Sequence, residues 1–248
     1  MNRTSHVNAT GGQKYGPFYR ARSWAMMALA AIVVLLLAAG CGTGRSDTPA
    51  VPGTSVPSGD FNAALTAAQS ALDAGDLSAA EQGYRAAVAR NPASAQAQFG
   101  LGNALVRQSK LADAETAYKA ALAADQNMAA AHANLGVVYY QMGQLSKAAD
   151  EYNAALRTNP SDAQTTYLLG AVRLQENNLP EAERLLLKAR DLDPKLPEVY
   201  YGLGVMYRLK GQTAEAIAAF EKFLQIGPGQ DPQAVEYAKS ELKELKGQ

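Results

Sequence analysis

The feature of this sequence that most constrains its fold is a pattern that repeats every 34 residues. Five copies follow one another without a gap, and they start at Phe61, Ala95, Ala129, Ala163 and Pro197. A period of roughly 20 to 50 residues is typical of a solenoid, in which each unit buries its apolar face against the next unit. The period therefore predicts a stacked architecture and makes binding the expected function.

Small side chains recur at fixed places in the period. Position 20 of every unit is alanine, and position 8 is glycine in four of the five units. Small residues allow two helix axes to approach to about 8 Å. Position 24 instead holds a large side chain in each unit: Tyr84, Tyr118, Tyr152, Leu186 and Phe220. We expect close helix crossings at the small residues and a core filled by the large ones.

Each unit is interrupted once near its middle and once at its end. The middle break falls at Gly75, Ser109, Gly143, Asn177 and Gly211. Most of these residue types accept positive φ at the C-terminus of a helix. The end break contains proline in four of the five units, and proline lacks the N–H group that a continuing helix would need. Each unit is therefore predicted to be a helix, a short turn, a second helix and another short turn.

With these features the chain resembles a tetratricopeptide repeat (TPR) protein. The unit that starts at Ala129, AAAHANLGVVYYQMGQLSKAADEYNAALRTNP, matches the family pattern at nearly every diagnostic position. The resemblance implies an all-α fold, an α-solenoid that winds as a right-handed superhelix of five helix-turn-helix units. The units would occupy residues 61–94, 95–128, 129–162, 163–196 and 197–230.

A further helix is predicted after the fifth unit, in residues 231–248. Its apolar stripe would contain Ala234, Ala238, Leu242 and Leu245. Its other face would be charged and exposed, with Glu236, Lys239, Glu241, Lys243, Glu244 and Lys246. A helix of this kind can cap a solenoid, because it covers the last apolar surface and presents a polar one to water.

The segment before the repeats has the pattern of an export signal. Residues 1–23 contain four basic side chains and no acid, and residues 24–40 follow without a charge. The sequence Leu37-Ala38-Ala39-Gly40-Cys41 resembles the bacterial lipobox, whose cysteine is lipidated and becomes the new N-terminus. We expect residues 1–40 to be a lipoprotein signal peptide and Cys41 to be the lipid-attachment site. An uncleaved signal anchor is the alternative, because about 17 apolar residues are at the short limit for spanning a bilayer.

Both interpretations place the repeats outside the cytoplasm, because the positive charge precedes the apolar run. Residues 41–60 are dominated by Gly, Ser, Thr and Pro, a composition that predicts a disordered tether. Gly42 follows the cysteine, where some bacteria with two membranes use aspartate to retain lipoproteins at the inner membrane. We expect anchoring at the inner face of the outer membrane, or at the outer face of the cytoplasmic membrane where there is no second membrane.

The residue types that catalysis and metal binding require are scarce. After residue 40 the chain has one histidine, His132, and one cysteine, Cys41. These are too few for a zinc site or for a Cys-His or Ser-His arrangement, so we expect no enzyme activity, no metal, no cofactor and a structural His132. Residues 41–248 carry 19 basic and 23 acidic groups, a net charge of −4. That balance does not favour binding to nucleic acid.

The resemblance also implies where a partner binds. In TPR proteins the first helix of each unit lines a concave groove, and positions 2, 5, 9, 12 and 13 face the ligand. From these positions we predict the partner-binding side chains, which are Phe99, Asn103, Arg107, Tyr140, Gln141, Tyr167, Gln175, Tyr201 and Arg208. Aromatic rings with amides suit a peptide whose backbone binds the amides while its side chains pack on the rings. A clamp for a C-terminal carboxylate is not expected, because the two arginines are three repeats apart.

These features together predict a lipid-anchored scaffold that binds a protein or peptide of the bacterial cell envelope. Lipoproteins of this architecture include assembly factors of pili and secretins, so the assembly of such a complex is one setting for the chain. Two alternatives remain open: a self-associating structural protein and a regulatory subunit of an envelope enzyme. The identity of the partner and the oligomeric state also remain open.

Overall fold

The computed structural model describes residues 60–227 and 231–247, and in these ranges the chain forms eleven helices and no strand. The helices are α1 (Phe61–Asp73), α2 (Leu77–Arg90), α3 (Ala95–Arg107), α4 (Leu111–Ala124), α5 (Ala129–Gln141), α6 (Leu145–Thr158), α7 (Ala163–Gln175), α8 (Leu179–Leu192), α9 (Pro197–Leu209), α10 (Thr213–Ile226) and α11 (Pro232–Lys246). The predicted signal peptide, Cys41 and the tether up to residue 59 lie outside the described residues.

The fold is the expected α-solenoid of helix pairs. The odd-numbered helices α1 to α9 begin at the residues where the 34-residue period begins. Each packs against the second helix of its own unit, and α10 packs against α11. Three pairs of first helices also contact one another: α1 with α3, α3 with α5, and α7 with α9. One continuous apolar core runs from Ala68 in the first unit to Leu245 in α11.

The turn inside each unit confirms the predicted middle break. All five break residues have positive φ, which is 60° at Ser109 and 62° at Asn177 and lies between 72° and 80° at the three glycines. In the second unit the N–H of Ser109 donates to the carbonyl of Val106, and the N–H of Lys110 donates to that of Leu105. This pair of bonds satisfies the last carbonyls of α3, in the arrangement known as the Schellman motif.

The small and large positions of the period meet as expected. The alanines at position 20 are fully buried, and so are the large side chains at position 24. A Cβ atom on Gly102, at position 8, would lie 2.5 Å from the ring of Tyr118. The absence of a side chain at position 8 therefore lets the second helix seat its aromatic ring against the first helix.

Helix α11 covers the end of the core, with one difference from the prediction. Ala234, Ala238 and Leu245 are buried, as the apolar stripe requires. Glu241 was expected on the exposed face but is 5% exposed. Nε of Arg208 donates a hydrogen bond to its carboxylate, at 3.0 Å, and this bond compensates the burial of the charge. The capping helix is therefore held by an ion pair as well as by apolar packing.

Within the described ranges, no helix combines the length and the apolar character that crossing a bilayer requires. The same residues contain no group of three or more side chains that could hold a metal ion. His132 links the two helices of the third unit, because its Nδ1 lies 2.7 Å from a carboxylate oxygen of Glu151. Its Nε2 lies 3.1 Å from the carbonyl oxygen of Gln126. These contacts give His132 a structural role.

Candidate partner-binding groove

The candidate site is the row of side chains at positions 2, 5, 9, 12 and 13 of the first helices, which we call the groove. The helix periodicity places these positions on one side of each first helix. First helices contact each other between units one and two, two and three, and four and five, so their rows lie side by side there. The nine side chains predicted to bind a partner all belong to this row, but the structure gives them different roles.

Tyr201 is a core residue rather than an exposed partner-binding side chain. It is fully buried, and its ring centroid lies 5.4 Å from that of Phe223 and 5.9 Å from that of Tyr237. Phe223 belongs to the second helix of the same unit and Tyr237 to α11, so Tyr201 fills the space between the last two elements. The prediction that its side chain faces a partner is therefore wrong for this structure.

Tyr167, the equivalent residue in the fourth unit, is also fully buried. A Cβ atom on Gly202 would lie 3.4 Å from Cε2 of Tyr167, so this ring packs beside the first helix of the next unit. The prediction of an exposed Tyr167 is therefore also wrong. Phe99 at the same position is half-buried, and its ring centroid is 5.8 Å from that of Tyr118.

Asn103 is engaged by side chains of its own and the next unit. Its Oδ1 accepts hydrogen bonds from the hydroxyl of Tyr118 at 2.7 Å and from Nδ2 of Asn134 at 2.8 Å. Both helices of the second unit and the first helix of the third unit thus meet at this amide. Asn103 serves the packing of the solenoid, because its acceptor atom is already paired.

Both predicted arginines bind groups of the chain itself. Nη1 of Arg107 donates to the carbonyl oxygen of Leu72 at 2.6 Å, so the exposed Arg107 caps the C-terminus of α1. Arg208 pairs through Nε with Glu241 at 3.0 Å and through Nη2 with Glu244 at 2.8 Å. The acids of α11 thus neutralise the charge of Arg208, and its predicted role in binding a partner stays a prediction.

The remaining predicted residues, Tyr140, Gln141 and Gln175, lie in the third and fourth units and have polar atoms without a partner. The hydroxyl of Tyr140, Nε2 of Gln141 and Oε1 of Gln175 are shielded from water and make no hydrogen bond. The Tyr140 side chain is buried, whereas both glutamines are half-buried. The two glutamines therefore combine surface access with an unused donor and an unused acceptor.

Three further polar atoms of the groove share this property. They are the hydroxyls of Tyr167 and Tyr201 and Oε2 of Glu198. A shielded polar atom without a hydrogen bond costs about 1–3 kcal/mol. Of the six side chains, Gln141, Gln175 and Glu198 are half-buried and reach the surface of the groove, whereas the three tyrosines lie in the core.

Burial controls the electrostatics of this region. It raises the pKa of Tyr140, Tyr167 and Tyr201 above the usual range of a phenol, so these hydroxyls are neutral. Burial also raises the pKa of Glu198, against a backbone hydrogen bond that lowers it, and the charge of Asp193 adds to the rise. The sequence placed Glu198 at position 2 of the fifth unit, but its lack of a counter-charge depends on neighbouring units and was not predicted.

Helix pairs stacked on a 34-residue period, with a groove along their first helices, define a solenoid of the protein-binding class. Four overlapping matches to a family model described as tetratricopeptide repeat cover residues 65–129, 101–163, 133–197 and 167–231. The chain therefore belongs to the tetratricopeptide repeat family, as the sequence predicted. No curated protein sequence is significantly similar to it.

Solved structures with the same fold include the following three proteins. MamA from Desulfovibrio magneticus is 23% identical, with 69% of this chain and 97% of that chain covered and a TM-score of 0.63. YrrB, described as a TPR protein with an unusual peptide-binding site, is 23% identical, with coverages of 73% and 92% and a TM-score of 0.59. PilF of Pseudomonas aeruginosa is 22% identical, with coverages of 75% and 87% and a TM-score of 0.65. At these identities the likeness concerns the fold.

Proposed function

We propose that this chain is a non-catalytic scaffold that binds a peptide or protein segment along the groove of units three to five. The observation that carries the proposal is the row of unpartnered polar atoms at groove positions, which includes the half-buried Gln141 and Gln175. Units one and two offer less, because Asn103 and Arg107 already bind groups of the chain. The description of YrrB as having a peptide-binding site supports the same class of ligand.

The two glutamines suit a peptide backbone in an extended conformation. Gln141 offers a donor through Nε2, and Gln175 offers an acceptor through Oε1. A peptide bond needs one acceptor for its N–H and one donor for its carbonyl. Equivalent positions in different units can therefore hold separate peptide groups of one extended segment, while the apolar side chains between them contact the peptide's side chains.

We also propose that the scaffold works in the bacterial cell envelope, anchored through a lipid on Cys41. The basic residues 1–23, the uncharged residues 24–40 and the lipobox-like sequence before Cys41 support this location. Two acyl chains hold a protein at a membrane stably, whereas a single chain binds reversibly. Assembly of a pilus or secretin complex is one process that would use such a scaffold.

Photo-crosslinking in living cells tests the binding proposal. A photoreactive amino acid replaces Gln141 or Gln175, and the matched control replaces Lys188, which is exposed on the second helix of unit four. We expect the two groove probes to trap the same protein and the Lys188 probe to trap none. Adducts from Lys188 alone would overturn groove binding, and an adduct with the mass of two copies would favour self-association.

Metabolic labelling with a radioactive fatty acid tests the anchor. We expect the wild-type chain to be labelled and to sediment with membranes. The Cys41→Ser variant should lose the label and accumulate as an unprocessed precursor. Equal labelling of both chains would disprove lipidation at Cys41, and an unlabelled wild-type chain of unprocessed mass would favour the uncleaved signal anchor.

A further inference from the structure

Glu198 is a charged groove residue, and one of its carboxylate oxygens has no hydrogen-bond partner. It lies at position 2 of the fifth unit, in the first turn of α9, and is half-buried. Its Oε2 is shielded from water and accepts no hydrogen bond. An ionised carboxylate is expensive to shield unless a donor or a cation compensates it.

The solenoid itself does not require an acid at this place. Position 2 is Gln96 in the second unit, Ala130 in the third and Gln164 in the fourth. The positive end of the α9 dipole stabilises Glu198, but that effect is worth only about 0.3–1 kcal/mol near a surface. Helix formation alone therefore does not explain why position 2 of the fifth unit is the acid Glu198.

Among the described residues Glu198 is in no ion pair. Arg208 and Lys210, at the other end of α9, are paired with Glu241, Glu244 and Glu183. Lys195, three residues before Glu198, is exposed, and Asp193, whose charge acts on Glu198, has the same sign. The carboxylate of Glu198 is consequently without a paired cation in the part of the chain that the structure describes.

The neighbours of Glu198 extend the same polar row toward the glutamines. Tyr167 and Tyr140, at groove positions of the fourth and third units, also have hydroxyls without a hydrogen-bond partner. Glu198 lies in the fifth unit, whereas Gln141 and Gln175 lie in the third and fourth, so a bound segment that reaches all three must cross from one first helix to the next.

We infer that the groove selects a peptide segment that carries a lysine or arginine beside the backbone groups bound by Gln141 and Gln175, and that Glu198 binds this cation. The inference rests on the proposed function and adds the charge of the ligand. A basic side chain supplies the missing donor and compensates the shielded carboxylate in a charge-assisted hydrogen bond. An acidic segment would be repelled, since it would place two like charges in a shielded site.

A displayed library of random peptides of about twelve residues tests the inference on the purified full-length chain in detergent micelles. Selection is run in parallel on the wild type, on Glu198→Gln and on Glu215→Gln, which alters an exposed acid of α10. We expect peptides selected by the wild type and by Glu215→Gln to contain lysine or arginine at one fixed position. Peptides selected by Glu198→Gln should lack that preference.

The best selected peptide is then synthesised with lysine and with norleucine at the fixed position. We expect the lysine peptide to bind the wild type about tenfold more tightly than the norleucine peptide, and the two to bind Glu198→Gln equally. Thermal melting of Glu198→Gln, expected at or above the wild-type temperature, shows that the variant is folded.

The outcomes separate this inference from the proposed function. Enriched peptides without a basic position, or a lysine preference that survives in Glu198→Gln, would overturn the role of Glu198 and leave groove binding intact. Failure to enrich any peptide on the wild type would overturn the proposed function and this inference with it. A lower melting temperature of Glu198→Gln with unchanged selectivity would make Glu198 a structural residue.

Discussion

A Cβ atom on Gly136 would lie 2.6 Å from Cε1 of Tyr152, the large residue at position 24 of the same unit. Real Cβ atoms do not approach other atoms so closely, so either the ring or the helix would have to move. In the fourth unit position 24 is Leu186, and a Cβ on Gly170 would lie 3.2 Å from it. The glycine at position 8 is therefore required most where the facing side chain is an aromatic ring.

We predict that Gly136→Ala destabilises the protein by about 1–3 kcal/mol, the usual cost of overpacking a core. Gly170→Ala should stay within about 1 kcal/mol of the wild type, because alanine favours a helix by about that amount over glycine and offsets the milder contact. Thermal melting of the two full-length variants checks the contrast. Equal losses would show that ring size at position 24 does not decide the need for glycine.

The hydroxyls at position 24 allow a second comparison. Tyr118 donates to Asn103 at position 9 of the same unit, and Tyr84 donates to Gln69 at the equivalent position. In the third unit position 9 is Val137, and the buried hydroxyl of Tyr152 has no partner. The tyrosine hydroxyl at position 24 is thus hydrogen-bonded in two units and unpaired in the third, because the side chain at position 9 is an amide in the first two units and an alkyl group in the third.

We predict that Tyr118→Phe costs about 1 kcal/mol, the net value of one hydrogen bond, whereas Tyr152→Phe is neutral or stabilising. Denaturant midpoints of the two variants measure the difference. A loss in Tyr152→Phe as large as that in Tyr118→Phe would mean that the Tyr152 hydroxyl has a bonding partner in solution.

The helices could be predicted from the sequence because their signals are local and repeated. Small residues at positions 8 and 20 and a break residue such as Ser109 occur within each unit, so the period shows them several times. The positive φ at Ser109 and the fully buried Ala148 follow from these local rules. Each unit therefore carries enough information to fix its own two helices and the turn between them.

The exposure of individual groove side chains to a partner could not be predicted in this way, because it depends on contacts between units. Tyr167 and Tyr201 share position 5 with the half-buried Phe99, and burial of Tyr201 requires Tyr237 from α11. The period shows which residue type a position shares across the units. The burial of these side chains depends instead on neighbouring residues that differ from unit to unit. The ion pairs of Arg208 were missed for the same reason, since its partners lie about one period further along the chain.

Arg208 and Glu241 provide a test of how the capping helix is held. Removing the arginine leaves a nearly buried carboxylate without its counter-charge, which is strongly destabilising. We predict that Arg208→Met lowers the free energy of unfolding by about 2 kcal/mol or more, and that Arg208→Met with Glu241→Met recovers much of the loss. Thermal melting of the single and double variants measures both effects.

The matched control for this clamp is Lys246→Met, which breaks the pair between Lys246 and Glu221. Both of those side chains are about half exposed, so their ion pair should contribute less than about 1 kcal/mol. Melting temperatures that fall equally in Arg208→Met and Lys246→Met would show that burial of Glu241 adds nothing to the clamp.

Glu81 makes a second clamp, between the first two units, and this one depends on pH. Its carboxylate accepts hydrogen bonds from Nζ of Lys110 at 2.7 Å, Nε2 of Gln108 at 2.9 Å and Nε of Arg85 at 2.9 Å. The bonds from Lys110 and then Arg85 lower the pKa of Glu81 from 4.5 to about 2, against an opposing effect of burial. Folding therefore favours the ionised carboxylate.

Because the folded pKa lies below the unfolded one, the stabilisation by Glu81 is complete above about pH 5 and is lost as the pH falls toward 2. We predict that Glu81→Gln lowers stability by about 1–2 kcal/mol at pH 7, a range reduced for the exposed ends of Lys110 and Arg85. The difference between wild type and variant should shrink steadily below pH 4.5. Urea midpoints from pH 7 to pH 3, with Glu236→Gln in an exposed pair as control, measure this trend, and a gap that stays constant with pH would show that Glu81 acts through packing instead of charge.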